Sequence, residues 1–260
     1  MENYTDINAR TIDKWADDGW EWGILITHEV FENARLGKWD VELTPIRAVP
    51  HDWFAPFIQN GRLDGAKLLG LASGGGQQMP VFTALGADCT VLDYSERQLD
   101  REREVAKREG YEINIVRADM TKRFPFGDGS FDIIFHPVSN CYVEDVYHVW
   151  NECHRVLKPG GILLAGMDNG FNFMVEDFAV RPLVIANKLP FNPLKMDAER
   201  RQKMIDNYEG LQFSHTFDEQ IGGQLKAGFV ITGAYEDFNN EPDAIADGIP
   251  SYWATRAIKS

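Results

Sequence analysis

From Lys67 onward the chain alternates short apolar runs with amphipathic stretches of helix length. Lys67 to Leu71, Cys89 to Leu92, Ile113 to Val116, Phe131 to Phe135 and Ile162 to Met167 read as strands. The run Phe131-Asp132-Ile133-Ile134-Phe135 has the apolar density of a strand buried on both faces. Gln78 to Leu85 reads as a helix. Ser95-Glu96-Arg97-Gln98 forms a capping box that opens a charged helix to about Arg108, ended by Gly110. Val143, Val146, Tyr147, Trp150, Cys153, Val156 and Leu157 recur at helical spacing, and Lys158-Pro159-Gly160-Gly161 stops that helix. Thr216 to Gly228 reads as another helix, followed by a strand at Phe229 to Thr232 and a last strand at Ser251 to Ile258. Strands separated by helix-length segments predict an α/β fold with a doubly wound, mainly parallel sheet. Ligands of such sheets sit at the C-terminal ends of the strands.

Two stretches break the rhythm and divide one domain, 1–260, into four parts. Residues 1–65 form an N-terminal extension holding five of the seven tryptophans: Trp15, Trp20, Trp22, Trp39 and Trp53. Aromatics this dense must bury their area. They are either extra core or a cover for the ligand cleft. Residues 66–168 form the first part of the sheet, and 213–260 the last. Between them, 169–212 is a long aromatic excursion after the fifth strand, which reads as a substrate cap or as the surface of a homodimer.

The chemistry concentrates where the first strand ends. Lys67 to Leu71 runs into Ala72-Ser73-Gly74-Gly75-Gly76-Gln77-Gln78, a helix follows, and a second strand ends at Asp93-Tyr94. Strand, glycine turn, helix, strand and acid form the arrangement that holds a nucleoside-bearing cofactor. Glycines admit cofactor atoms where a side chain would clash, and the acid accepts hydrogen bonds from ribose hydroxyls. Gly74 and Gly76 match the first two glycines of a dinucleotide pattern, but Met79 replaces the third. Its absence favours a cofactor without a pyrophosphate.

Charge narrows the partners. With 40 acids against 26 bases the net charge is −14, and no basic run of any length occurs; the richest patch, Lys195 to Lys203, includes Asp197 and Glu199. A nucleic-acid or anionic-membrane binder carries a basic face, so neither partner is expected. Cys89, Cys141 and Cys153 are odd in number and form no C-x-x-C pair. That fits a reducing compartment. With a polar, acidic N-terminus and no apolar run of membrane-spanning length, a cytoplasmic location is expected.

Taken together these segments resemble the class I S-adenosylmethionine-dependent methyltransferases over roughly Lys67 to Ser260. The family's acid-x-G-x-G-x-G motif aligns with Gly70 to Gly76, its ribose acid with Asp93 and its adenine-flanking pair with Asp119-Met120. Its strand-four motif aligns with Phe131 to Pro137, and its R-V-L-K-P-G-G string appears unchanged as Arg155 to Gly161. The resemblance implies a Rossmann-like seven-stranded sheet whose last two strands form an antiparallel hairpin. It also implies S-adenosylmethionine bound by Ala72, Ser73, Gly74, Gly76, Gln77, Gln78, Asp93, Tyr94, Gln98, Asp119, Met120, His136 and Pro137. Two departures stand out: Gly70 replaces the usual acid, and Ala72 the first glycine. Gln77 or Gln78 either supplies the missing polar contact or simply begins the helix.

Methyl transfer from a sulfonium is an in-line displacement that needs the nucleophile held at about 3–3.5 Å and water excluded. No universal catalytic residue is required. His136 is the candidate general base, or alternatively lines the cofactor through its backbone. Ser139, Asn140 and Tyr142 either orient the substrate or cap the helix that starts near Val143. Cys141 has nothing adjacent to activate it. The histidines show no ligand spacing and His136 stands where metal-dependent members place a carboxylate, so no metal is expected. The reading is methyl transfer to a small-molecule acceptor. The alternatives are a non-catalytic S-adenosylmethionine-binding or regulatory protein and a nicotinamide-dependent oxidoreductase.

Overall fold

The computed structural model describes residues 3–175, 182–240 and 248–260. Seven strands form one sheet in the order β3-β2-β1-β4-β5-β7-β6. They are β1 (Lys67–Leu71), β2 (Asp88–Asp93), β3 (Asn114–Arg117), β4 (Phe131–His136), β5 (Leu157–Asp168), β6 (Phe229–Asp237) and β7 (Tyr252–Lys259). The first five are parallel, and β7 runs antiparallel between β5 and β6. The expected mainly parallel, doubly wound sheet with its antiparallel final pair is therefore present. The order reverses between β1 and β4, which places a switch point above the end of β1.

Helices cover both faces. On one, α3 (Gln78–Ala84) and α4 (Glu96–Glu109) pack with α2 (His28–Arg35) and with aromatic residues of the N-terminal extension. Trp39 meets Phe54 edge-on at 5.3 Å, and Phe82 meets Phe135 at 5.0 Å. On the other, α5 (Val146–Val156) buries Val149, Trp150 and Cys153 against Leu69, Ile134 and Leu163. Burying each large apolar side chain contributes about 1.5–3 kcal/mol, so both clusters are substantial.

The extension is integral to the sheet. At Gly166 an added Cβ would stand 1.9 Å from the Leu43 carbonyl oxygen, so the 39–49 segment crosses β5 in backbone contact. Asp237, at the end of β6, accepts the backbone N–H groups of Ile46 and Arg47 at 2.9 and 2.8 Å.

Several boundaries differ from the pattern for local reasons. The Lys158 to Gly161 string ends α5 as expected but already belongs to β5, where it forms the register shift between the Phe131–Leu157 and Ile133–Ile162 pairings. The capping box of α4 is half made. Ser95 Oγ accepts the Gln98 N–H at 3.2 Å, but the Gln98 side chain turns away to the Trp22 carbonyl at 3.1 Å. Asp145, not Asn140, caps α5, with its side chain accepting from His148. The helix before β6 opens with a π turn, Asp218–Gly222, ahead of α7 (Gly223–Ala227). There Trp150 Nε1 donates to the Glu219 carbonyl at 3.0 Å, and Gly223 lets the backbone lie against the indole. In the 169–212 excursion, α6 (Ala198–Asp206) follows two short turns of 3-10 helix, while 176–181 lie outside the described residues.

Candidate active site

A cavity of about 1350 Å³ opens above the C-terminal ends of β1, β2, β4 and β5. Its floor begins with the turn after β1. Ala72 adopts φ 45°, a left-handed conformation uncommon for a residue with a Cβ. Its N–H is held by the Leu92 carbonyl at 2.8 Å. Gly74 faces the cavity at φ 78°, where a Cβ would sit 3.1 Å from both the Trp22 carbonyl and Gln77 Oε1. Gly75 and Gly76 serve a different purpose. Cβ atoms there would stand 2.6 Å from the Gln98 carbonyl and 2.5 Å from Leu25 Cδ2, so these two let the turn pack on α4 and the extension. Neither lines the cavity.

The altered first motif now has a physical reason. A Cβ on Gly70 would meet Met79 Sδ and Ser73 Oγ, each at 2.5 Å. Met79, standing where a dinucleotide fold has its third glycine, fills the space into which an acid at position 70 would project. Ser73 Oγ and Gln98 Oε1 are buried in the cavity wall with no hydrogen-bond partner among the described residues, and so is Thr5 Oγ1 in the first helix, α1 (Tyr4–Asp17). Gln78 also lines the cavity, its Oε1 accepting only a long 3.4 Å bond from the Glu42 N–H. Gln77 points away and donates to the Glu21 carbonyl at 2.6 Å.

At the end of β2, Asp93 is 8% exposed, and one oxygen accepts the Ser95 N–H at 2.8 Å. Burial raises its carboxyl to about 6. Tyr94 lines the cavity beside it, and its hydroxyl donates to Asp6 of α1 at 2.6 Å. Asp119 and Met120 complete this end of the wall. A glycine cradle, an under-bonded carboxylate and orphaned hydroxyl and amide oxygens fit a nucleoside-bearing cofactor with several donors.

At the end of β4 and in the loop that follows, the expected residues divide. Pro137, Ser139, Cys141 and Tyr142 line the cavity; His136 and Asn140 lie behind it. The His136 ring is fully buried between the Leu71 carbonyl, 2.9 Å from Nδ1, and Asn140 Oδ1, 2.8 Å from Nε2. Burial lowers its pKa. Burial also pushes the Cys141 thiol and the Tyr142 phenol up, so both stay protonated at neutral pH. The sequence pattern did not single out Asp168, the last residue of β5. It lies in the cavity wall, 9% exposed, and burial raises it to about 6. The only local cue was its place at a strand's C-terminal end.

Two distant parts of the chain meet beside the cavity, which remains partly open. Residues of α1 meet the end of the 169–212 excursion: Asn8 donates to the Leu211 carbonyl at 2.9 Å and accepts the Leu211 N–H at 2.8 Å. Trp15 Nε1 donates to the Tyr208 carbonyl at 2.8 Å. The tryptophans of the extension thus split between both expected roles. Trp39 and Trp53 are core, while Trp15, Trp20 and Trp22 line the cavity.

Residues 69–165 match a family described as a methyltransferase domain. A protein of Bacillus subtilis (strain 168) called uncharacterized methyltransferase YbaJ is 42% identical over 255 residues, 97% of each chain. The chain belongs to the class I S-adenosylmethionine-dependent methyltransferases, and S-adenosylmethionine is its cofactor. More distantly, it is 31% identical to an Arabidopsis thaliana cycloartenol-C-24-methyltransferase over 161 residues, 61% of this chain and 46% of that protein. Among solved structures, an S-adenosylmethionine-dependent methyltransferase from Mesorhizobium loti shares the fold with a TM-score of 0.59 at 20% identity, over 80% of this chain and 98% of that one. Geranyl diphosphate C-methyltransferase from Streptomyces coelicolor A3(2) shares it with a TM-score of 0.52 at 16% identity, over 76% and 74%.

Proposed function

We propose that this methyltransferase acts on a small molecule held in the half of the cavity above β4 and β5, with the cofactor in the half above β1 and β2. The observation that carries this reading is the pairing of Asn8 with Leu211, which joins α1 to the excursion beside a partly open cavity that both segments line. A concave site walled by these two segments suits a small acceptor and limits the water that competes with a nucleophile. Accordingly 169–212 acts as a cap and 1–65 as both core and lid, on a single domain of 66–168 and 213–260.

S-adenosylmethionine supplies an electrophilic methyl group when bound. Asp93 accepts from the ribose hydroxyls, and Asp119 and Met120 flank the adenine. Tyr94 offers its ring beside them, locked by Asp6. Gly74 gives close backbone approach, and Ala72 and Pro137 line the path. Ser73, Gln78 and Gln98 meet the amino-acid end in place of the acid missing at Gly70. His136 acts as a positioning residue: it ties the end of β1 to the post-β4 loop and leaves Ser139 and Tyr142 facing the acceptor.

The net charge of −14 supports an acceptor other than nucleic acid. Three buried, unpaired cysteines support a reducing compartment such as the cytoplasm. No helix among the described residues is long and apolar enough to cross a membrane. The test is release of S-adenosylhomocysteine by purified protein across small-molecule classes. Turnover of a small acceptor is expected; turnover only with a protein or nucleic acid contradicts the reading.

A further inference from the structure

Asp168 closes β5 in the half of the cavity away from the glycine turn. Its two oxygens accept from the Gly170 N–H and from Asn172 Nδ2, each at 2.6 Å. A carboxylate holds about four lone-pair sites, so two remain for a ligand. Because Asn172 must present its NH₂ to Asp168, its Oδ1 is directed elsewhere, and that oxygen is buried without a partner among the described residues. Asn172 lines the same cavity. The pair therefore offers acceptors with unmet capacity, and an unmet buried polar atom costs about 1–3 kcal/mol. A ligand group bearing N–H or O–H meets that demand; a hydrocarbon nucleophile leaves it unmet.

We infer that Asp168 binds the nucleophilic group of the acceptor and takes its proton, and that the acceptor attacks through an N–H or O–H rather than through carbon. This rests on the small-molecule reading above. The acceptor's lone pair forms the new bond to the methyl carbon. The carbon–sulfur bond breaks and leaves its pair on sulfur, giving the neutral thioether. The proton lost from nitrogen or oxygen passes to the Asp168 carboxylate and from there to water. The neighbouring titratable groups suit this step. Cys141 on the post-β4 loop and Tyr142 beside it stay protonated, so neither competes for the proton. Tyr252, opposite Asp168 in the β5–β7 register, also lines the cavity. Asp168 itself, raised to about 6 by burial, is mostly ionised at pH 7 and ready to accept.

The experiment offers S-adenosylmethionine with primary and secondary amines, phenols, aliphatic alcohols, thiols and enolisable carbon acids. Wild-type turnover on amine or hydroxyl members is expected, with kcat at saturating cofactor rising with pH through a midpoint near 6. Saturation removes the contribution of Asp93 to cofactor binding. In Asp168→Asn, kcat should fall at least about 100-fold. The affinity for the turned-over acceptor, by calorimetry, should fall about tenfold or more, while the S-adenosylhomocysteine Kd stays unchanged. Asn172 can rotate its amide to accept from the new Asn, so the fold is retained. Turnover confined to carbon acids or thiols overturns the inference, as does an Asp168→Asn enzyme with wild-type kcat. A wild-type profile flat through pH 6 overturns it even without the variant. No turnover with any class while the cofactor binds defeats the small-molecule reading and this inference with it.

Discussion

At the scale of single residues, buried carboxyls decide how this protein responds to pH. Glu102 of α4 is fully buried, and Oε1 accepts the Gly76 N–H at 2.8 Å. Burial raises its carboxyl to about 8, with the Asp93 charge adding to the effect. It is therefore mostly neutral at pH 7. A folded-state pKa above the ordinary 4.5 means that the native state holds this proton more tightly than the unfolded chain. Its contribution to stability is full below about pH 4.5 and is lost as pH rises through about 8. Glu102→Gln keeps an oxygen for Gly76 and removes the titration. Thermal melts from pH 6 to pH 9 should show the variant gaining on wild type as pH rises; parallel curves contradict a neutral Glu102. Asp93 obeys the same sign in the free protein, with its window between 3.8 and about 6. Ribose donors favour its ionised form, so cofactor affinity should fall below pH 6, by at most about tenfold per unit for one proton.

Residue identity also marks the limit of what the sequence made legible. Asp93, Asp119 and the Ala72 to Gly74 turn were readable because a strand end followed by glycine or acid is local chemistry, and all of them reach the cavity. His136 was conspicuous as a histidine closing β4, yet nothing local announced that Leu71 and Asn140 would hold both its nitrogens. Asp168 looked like an ordinary strand end, since its significance depends on Asn172 and on the cavity above it.

Among elements, β5 is tightly constrained by the extension. Its Gly166 touches the Leu43 carbonyl, which in turn accepts the Val138 N–H of the post-β4 loop at 3.2 Å. Gly166→Ala forces two backbones apart and displaces a wall of the site. A cost of about 1–3 kcal/mol is expected from overpacking alone, read as a lower denaturation midpoint in urea, with weaker acceptor turnover alongside. An unchanged midpoint would show that the extension does not press on β5. Periodicity predicted all seven strands because burial imposes it directly. The closure of α1 on the excursion left no such trace: Asn8 and Leu211 are 203 residues apart, and neither residue type demands the other.

For the molecule as a whole, the extension is part of the core. Trp39, Phe54 and Phe31 are buried in the same cluster as Phe82 and Leu68. Removing 1–65 strips that face of the sheet, and a chain of 66–260 should lose its near-ultraviolet aromatic signal and cooperative unfolding while retaining helix. A cooperative, tightly folded fragment contradicts this. The same extension supplies Thr5, Asn8 and Trp22 to the cavity, so stability and ligand enclosure are built from one segment.

The most direct measurement is calorimetric titration of S-adenosylhomocysteine into wild type and Asp93→Ala at pH 7. Binding at one saturable site per chain is expected. The variant should bind about 10- to 100-fold more weakly, the loss of hydrogen bonds to a charged group worth about 1.5–3 kcal/mol, with an unchanged melting temperature or a higher one. Equal affinity in the two proteins, or no heat from wild type, contradicts it.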